Sequence, residues 1–287
     1  MTAYYAPKTP AETLALLSAH APDCALLAGG TDLVPKLKSG AAAPGTLVYI
    51  GSAGLDYIRQ EESRLIVGAA ATWTMLAEHP LVASCAAVLA AAARTPAASS
   101  PGVKNAATVG GNLATASPAA DLATPLLALD ADVRIHSVRG TRTVALGDFF
   151  TGPGKTVLLP DELICAVSIP LCGGISVFEK IGRRKAMSIS VVNTAVRLVL
   201  EQGRCREARI ALGSVAPVPL RCRGAEDMLI GKEPGRELLQ ACGAEALRAC
   251  SPIDDAAATA WYRRTAGAAL VARALGRAAG LPGTPEE

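Results

Sequence analysis

Residues 107–121 read ATVGGNLATASPAAD: paired glycines at 110 and 111, the Asn112 amide, hydroxyls at Thr108, Thr115 and Ser117, and a closing acid at Asp121. The stretch carries almost no bulk. Glycine lacks Cβ, so Gly110 and Gly111 admit positive φ and let a ligand lie against the backbone. Peptide N–H groups at such a corner form an anion-binding concavity. Upstream, the same grammar occurs in LLAGGTDL, residues 26–33, where Gly29 and Gly30 end an apolar run and precede the Thr31 hydroxyl. Either corner alone is weak evidence, because a glycine pair also makes an ordinary strand-to-helix turn. Together, about 80 positions apart, they suit one ligand with two phosphates, which bulky side chains would hold off the backbone.

Outward from these corners, the periodicity predicts alternating strands and helices. TPAETLALLSAHA (9–21) places Thr9 as a cap, Pro10 at the first helical position and Glu12 three after the cap. CALLAGG (24–30) and GTLVYIGS (45–52) read as strands, and RLIVGAAATWTMLAEHP (64–80) as a strand followed by a helix capped by Thr72 or Thr74. Such alternation argues for an α/β domain. The Ala-rich run Cys85–Ala93 reads as a buried helix. LATPLLALDADVRIHSVRGTRTVAL (122–146) predicts a helix and then a hairpin turning at Arg139–Gly140, and ELICAVSIP (162–170) a strand closed by Pro170. LCGGIS (171–176) is the most linker-like segment. Beyond it, two strand patterns over 175–216 and helical patterns over Gly235–Cys250 and Ala256–Ala279 predict a smaller α+β unit, with a frayed tail LPGTPEE.

The composition excludes several classes. Over 287 residues, 51% are hydrophobic and 18% charged, so a sizeable core is expected rather than disorder. Aromatic residues are only 3%, so a ring-shaped ligand would meet mainly aliphatic side chains and backbone. The net charge of +3 (28 − 25) is spread out apart from GRRK at 182–185, which is no nucleic-acid footprint. The eight cysteines contain no CxxC pair, which argues against zinc or iron–sulfur ligation. The N-terminus lacks a basic segment followed by an apolar run, and the Ala-rich run is too short to span a bilayer; a cytoplasmic protein with reduced thiols and no membrane segment is expected. TGPGKT (151–156) imitates a phosphate-binding loop, but Phe149 stands where that motif needs glycine. No GxGxxG follows a strand. His20, His79 and His136 are isolated, and the methionines, Met187 included, read as core filler.

AGGTDL together with ATVGGNLATASPAAD resembles the two FAD loops of the flavin-binding medium subunits of molybdenum hydroxylases, the xanthine dehydrogenase and carbon monoxide dehydrogenase type. DFFTGPGKTVLLPDEL, FEKIGRRKAMSIS and PIDDAAATAWYRRTAGAALVARAL resemble further stretches of the same family, so the similarity covers nearly all of residues 3–276. The resemblance implies an α+β fold: a two-lobed PCMH-type FAD-binding domain over 1–172 (lobes about 1–55 and 56–172), then a small C-terminal domain over 173–279 with an antiparallel sheet and helices, then a flexible tail at 280–287. Residue by residue, it implies that Leu26, Leu27, Ala28, Gly29, Gly30, Thr31, Asp32 and Leu33 line the pyrophosphate. Thr108, Gly110, Gly111 and Asn112 would form the second phosphate and ribityl loop, with Thr115 beside it and Asp121 toward the sugar. Ile164 and Lys180 would touch the flavin from the C-terminal side, and Ile189 would lie beside the isoalloxazine ring. A Lys near the pyrimidine end would favour the anionic reduced flavin. Two departures stand out: Ser188 where relatives often carry Asp, and Ala98 near the place of an upstream aromatic.

The function so implied is electron transfer. Molybdopterin on a large partner would oxidise the substrate, 2Fe-2S clusters on a small partner would relay electrons, and this FAD would pass them to NAD⁺, a quinone or O₂. TGPGKT and PLRCRGAE lean toward the xanthine dehydrogenase-like members; carbon monoxide, aldehyde and N-heterocycle dehydrogenases are the alternatives. A self-contained flavin oxidase is a further reading, weakened because neither loop has a His or Cys to tether FAD. A scaffold subunit without flavin is the reading that intact loops oppose.

Overall fold

The computed structural model describes residues 2–95 and 100–282; Ala98 and the end of the tail lie outside the described residues. The chain opens with β1 (Ala3–Tyr5), α1 (Pro10–His20), β2 (Cys24–Leu27), α2 (Leu33–Ser39) and β3 (Thr46–Tyr49). The strands form a parallel sheet in the order β1-β3-β2. Thr9 caps α1 as expected, accepting from Glu12 N–H, while the Glu12 carboxylate accepts from Lys8 N–H. Leu17, Val48 and Leu55 are buried in a small core beside this sheet, together with Ala70, Leu163 and Cys165.

Antiparallel pairing then takes over. β4 (Ile58–Glu61) and β5 (Arg64–Gly68) form a hairpin, followed by α3 (Trp73–Glu78), α4 (Pro80–Cys85), α5 (Ala87–Arg94), α6 (Pro101–Ala106), α7 (Val109–Thr115) and α8 (Ala123–Ala128). Next come β6 (Asp132–Ser137), β7 (Gly140–Ala145), α9 (Leu146–Phe149), the short strands β8 (Phe150–Gly152) and β9 (Lys155–Thr156), and β10 (Leu163–Pro170). The sheet order β4-β5-β10-β6-β7 is antiparallel where paired, so the sequence's α/β alternation holds as a parallel sheet only in the first lobe. The sequence pattern could not separate the two because a short apolar run has the same period in either kind of sheet. Of the two candidate caps for α3, Thr72 accepts from Met75 N–H, whereas Thr74 bonds to Asn105. The Ala-rich run is broken at Ala86 into α4 and α5, and α5 buries Val88, Leu89 and three alanines.

The last part contains β11 (Ile175–Gly182), β12 (Ser190–Glu201), β13 (Arg204–Gly213), β14 (Leu220–Arg221), α10 (Arg223–Leu229), α11 (Arg236–Ala246) and α12 (Ala260–Ala278). Its four strands pair antiparallel in chain order. β12 is buried along most of its length because both faces are covered: Val192, Val196 and Leu198 face the C-terminal helices, and Ala195 joins the core of the preceding domain. The molecule is therefore α+β, with the C-terminal sheet serving as a wall shared by two cores. Among the described residues, no helix is long and apolar enough to cross a membrane.

Candidate functional site

The two glycine corners meet. They line one cleft of about 430 Å³, with Leu26, Ala28, Gly29, Gly30, Thr31, Asp32 and Leu33 on one side and Thr108, Gly111, Asn112 and Thr115 on the other. Contact between the loops is direct: a Cβ on Gly29 would overlap the carbonyl of Ala106, so only glycine lets the first corner lie against the end of α6. Gly30 has φ 70°, the left-handed region that favours glycine. Across the cleft mouth, Thr115 Oγ1 donates to Asp32 Oδ2 at 3.4 Å, and Lys36 Nζ donates to the same oxygen at 2.7 Å.

The corners differ in chemistry. No N–H from Gly29 to Leu33 has a hydrogen-bond partner among the described residues, so the first corner presents a run of free donors. The second does not, which corrects the expectation of two equivalent nests. Val109 and Gly110 donate to Ala71 O and Ala69 O, and Gly111 donates to the Thr108 hydroxyl that caps α7. Here glycine serves close packing, since a Cβ on Gly110 would sit 2.7 Å from that of Ala69. What the second loop brings to the cleft is therefore side chains: Asn112, Thr115 and Ser117.

A second hollow of about 370 Å³ shares Trp73, Val103, Asn112 and Ser117 with the first and extends it toward Asp121, Met187, Ser188 and Ile189. Ile189 is 73% exposed at its rim. Ser188 is buried, its hydroxyl accepting from Arg183 N–H at 2.9 Å. Asp121 and Lys180 come together in a buried network: Lys180 Nζ donates to Asp121 Oδ2 at 2.6 Å, Ser190 and Asn193 donate to Oδ1, and Thr124 donates to Asn193 Oδ1. Lys180 is therefore no solvated surface amine; its side chain is 1% exposed. Nearby Lys104 donates to the carbonyls of Arg94 and Thr95, and burial together with the Lys180 charge lowers its pKa.

Four residues named from the sequence line neither hollow, Lys180 among them because its side chain is buried against Asp121. Leu27 points to the other face of β2 from Leu26 and Ala28, Gly110 is packed on Ala69, and Ile164 is buried in the main core opposite Ile135. Sequence reasoning missed Lys36, Trp73, Val103 and Gly154. Lys36 was legible as the next helical turn after Asp32. Gly154 sits in the very stretch that failed as a phosphate loop; its N–H donates to Ala116 O, folding the β8–β9 hairpin over the cleft.

The residues fit a dinucleotide. A cleft bare of side chains at one end, lined by unpartnered amides, continues into a wider hollow bounded by apolar groups. Comparison with known proteins decides the matter. Residues 1–172 match the family described as FAD binding domain in molybdopterin dehydrogenase, and residues 177–278 match the CO dehydrogenase flavoprotein C-terminal domain. The chain belongs to the FAD-binding subunits of the molybdenum hydroxylases. Within that family it is 36% identical to the nicotinate dehydrogenase FAD-subunit of Eubacterium barkeri, over 83% of this chain and 82% of that protein. It is 33% identical to the carbon monoxide dehydrogenase medium chain of Hydrogenophaga pseudoflava, over 96% of both. A solved structure of carbon monoxide dehydrogenase from the same organism superposes with a TM-score of 0.92 at 32% identity, covering 96% of each chain. Quinoline 2-oxidoreductase from Pseudomonas putida 86 does so with a TM-score of 0.92 at 30% identity, covering 98% of this chain and 97% of that one.

Proposed function

We propose that this chain is the electron-transfer subunit of a multi-subunit molybdenum-containing dehydrogenase, with FAD seated in the continuous cleft. The pyrophosphate would lie on the free amides of Gly29–Leu33, and the isoalloxazine ring in the hollow bounded by Asp121, Ser188 and Ile189. Bound FAD supplies the ability to accept electrons singly and release them in pairs. The chain's residues do the rest: glycine keeps the pyrophosphate site clear, Asn112 and Thr115 offer polar contacts between its ends, and the Asp121–Lys180 network fixes the wall of the ring-end hollow.

The observation that carries this reading is the unpaired run of backbone donors opening into a hollow walled by the C-terminal unit. In this scheme residues 1–172, as lobes of about 1–55 and 56–172, hold most of the cofactor, and 173–279 close over its ring end. Molybdopterin and 2Fe-2S clusters belong to partner chains, and electrons leave toward NAD⁺, a quinone or O₂ at the rim formed by Met187 and Ile189. The names of the relatives span nicotinate, xanthine, carbon monoxide and caffeine at 30–36% identity, so the organic substrate follows from the molybdenum subunit and not from this chain.

The purified chain is expected to hold about one FAD, released intact by acid, and to co-purify with iron–sulfur and molybdopterin subunits when taken from cells making the whole complex. Colourless protein that ignores added FAD would defeat the reading. Direct bleaching of the isolated flavoprotein by an organic substrate under anaerobic conditions would favour a self-contained oxidase instead.

A further inference from the structure

We propose that Lys36 is the cation of the cofactor site: on binding, its ammonium turns from Asp32 to the diphosphate lying on the amides of Gly29–Leu33. The proposal rests on the FAD site placed in this cleft and adds a charged contact to the peptide donors.

The charges around the cleft point to it. Among the described residues that line the cleft, Asp32 and Lys36 alone are charged. Both stand on the donor-rich side, Asp32 at the cap position of α2 and Lys36 one turn further on. A shared atom fixes where the ammonium sits. Asp32 Oδ2 accepts from Lys36 Nζ at 2.7 Å and from Thr115 Oγ1, on the opposite wall, at 3.4 Å. The ammonium is therefore held at the mouth between the two loops, and its side chain is half-exposed, so an entering anion can reach it.

A diphosphate brings a negative charge on each phosphate, and the cleft's own charges are ill-matched to it. The one acid lies beside the free amides and repels the anion, while the one base is engaged by that acid. An ammonium has three donors, and Asp32 takes one of them. Turning another to a phosphate oxygen makes a charge-assisted hydrogen bond, stronger than one from a neutral amide. It also offsets the repulsion between Asp32 and the anion. An exposed ion pair contributes little, so giving it up for the diphosphate costs little. Asp32 and the diphosphate thus compete for one ammonium.

The test titrates the flavin-stripped full chain with FAD at low and at high sodium chloride. Lys36→Met keeps the length of the side chain and removes its charge. It should weaken binding by about three- to tenfold at low salt and flatten the fall in affinity as salt rises. Lys38→Met removes the same charge from the same helix at a position off the cleft, and should change the affinity by less than about twofold. Asp32→Asn releases Lys36 while keeping an acceptor for Thr115, and should tighten binding by about two- to threefold. In the wild type, FAD should slow acetylation of Lys36 by acetic anhydride, read by peptide mass spectrometry, more than that of Lys38.

A Lys36→Met chain that binds FAD like wild type, or no worse than Lys38→Met, overturns the proposal. So does an Asp32→Asn chain that binds no more tightly than wild type, because Lys36 would then serve Asp32 and not the anion. Acetylation of Lys36 that FAD slows no more than that of Lys38 overturns it without any variant. All of these results leave the FAD site itself standing, since the wild type still binds. Failure of the wild type to bind FAD overturns both.

Discussion

At Gly29 a hydrogen in place of a methyl group decides whether the two loops can touch. Gly29→Ala is expected to push the first corner off α6 and weaken FAD binding by about tenfold or more, where tenfold is about 1.4 kcal/mol, read by flavin titration. Gly102→Ala is the control. It lies on α6 with nothing near its missing Cβ, so it should leave FAD binding unchanged and stabilise the chain by about 0.5–1 kcal/mol in denaturant unfolding. The difference between such glycines was invisible in the sequence. Pairing flagged 29, 30, 110 and 111 alike, but which of them faces the cleft, bends the chain or packs on a neighbour depends on distant backbone. Asp121 shows the same limit: the sequence put an acid at the site, while the donors that take up its oxygens come from β11 and β12.

Among elements, periodicity located most helices and strands, since their apolar faces repeat at 3.6 or 2 residues. It failed where an element is short and held by tertiary contacts. α7 looks like a glycine corner in the sequence because its start is glycine-rich; in the fold Thr108 caps it, and the carbonyls of Ala69 and Ala71, just after β5, fix its first turn. The approach to β10 is held in a related way. Arg142 makes two contacts of 2.7 Å with Glu162 and one with Val157 O, and Leu159 N–H donates to Glu162 Oε2. The Arg142 guanidinium holds the Glu162 carboxyl below the usual carboxylate range, against the upward push of burial. With a folded pKa below the unfolded one, the unfolded chain takes up the proton first as pH falls. The stabilisation is full above the unfolded value of about 4.3 and is lost as pH drops through the folded value. Glu162→Gln should therefore lower the unfolding midpoint at neutral pH and flatten its decline in acid. A variant whose midpoint falls as steeply as wild type below the ordinary carboxylate range would assign that decline to other groups.

For the whole molecule, the decisive feature is how the C-terminal sheet is attached. The resemblance anticipated a C-terminal sheet with helices, and the linker-like LCGGIS runs from the end of β10 into the first residues of β11. What local sequence could not show is that Ala195 and Ala211 join the core of the FAD-binding part, or that Asp121 and Lys180, 59 positions apart, form a buried pair across the junction. Removing one partner of such a pair costs about 3–5 kcal/mol, because the remaining charge stays out of water. Asp121→Asn should show a loss of that order in denaturant unfolding and open the hollow to faster FAD release. Glu201→Gln, in an exposed pair with Arg206, should leave the midpoint unchanged. An Asp121→Asn chain as stable as wild type would mean that the junction is held by apolar packing alone.

The meeting of Gly29 with the Ala106 carbonyl also imposes an order of events during synthesis. The ribosome delivers the donor-rich turn long before the wall it leans on, and for that interval the cradle has one side. The cleft gains its second wall only once translation has passed the second loop.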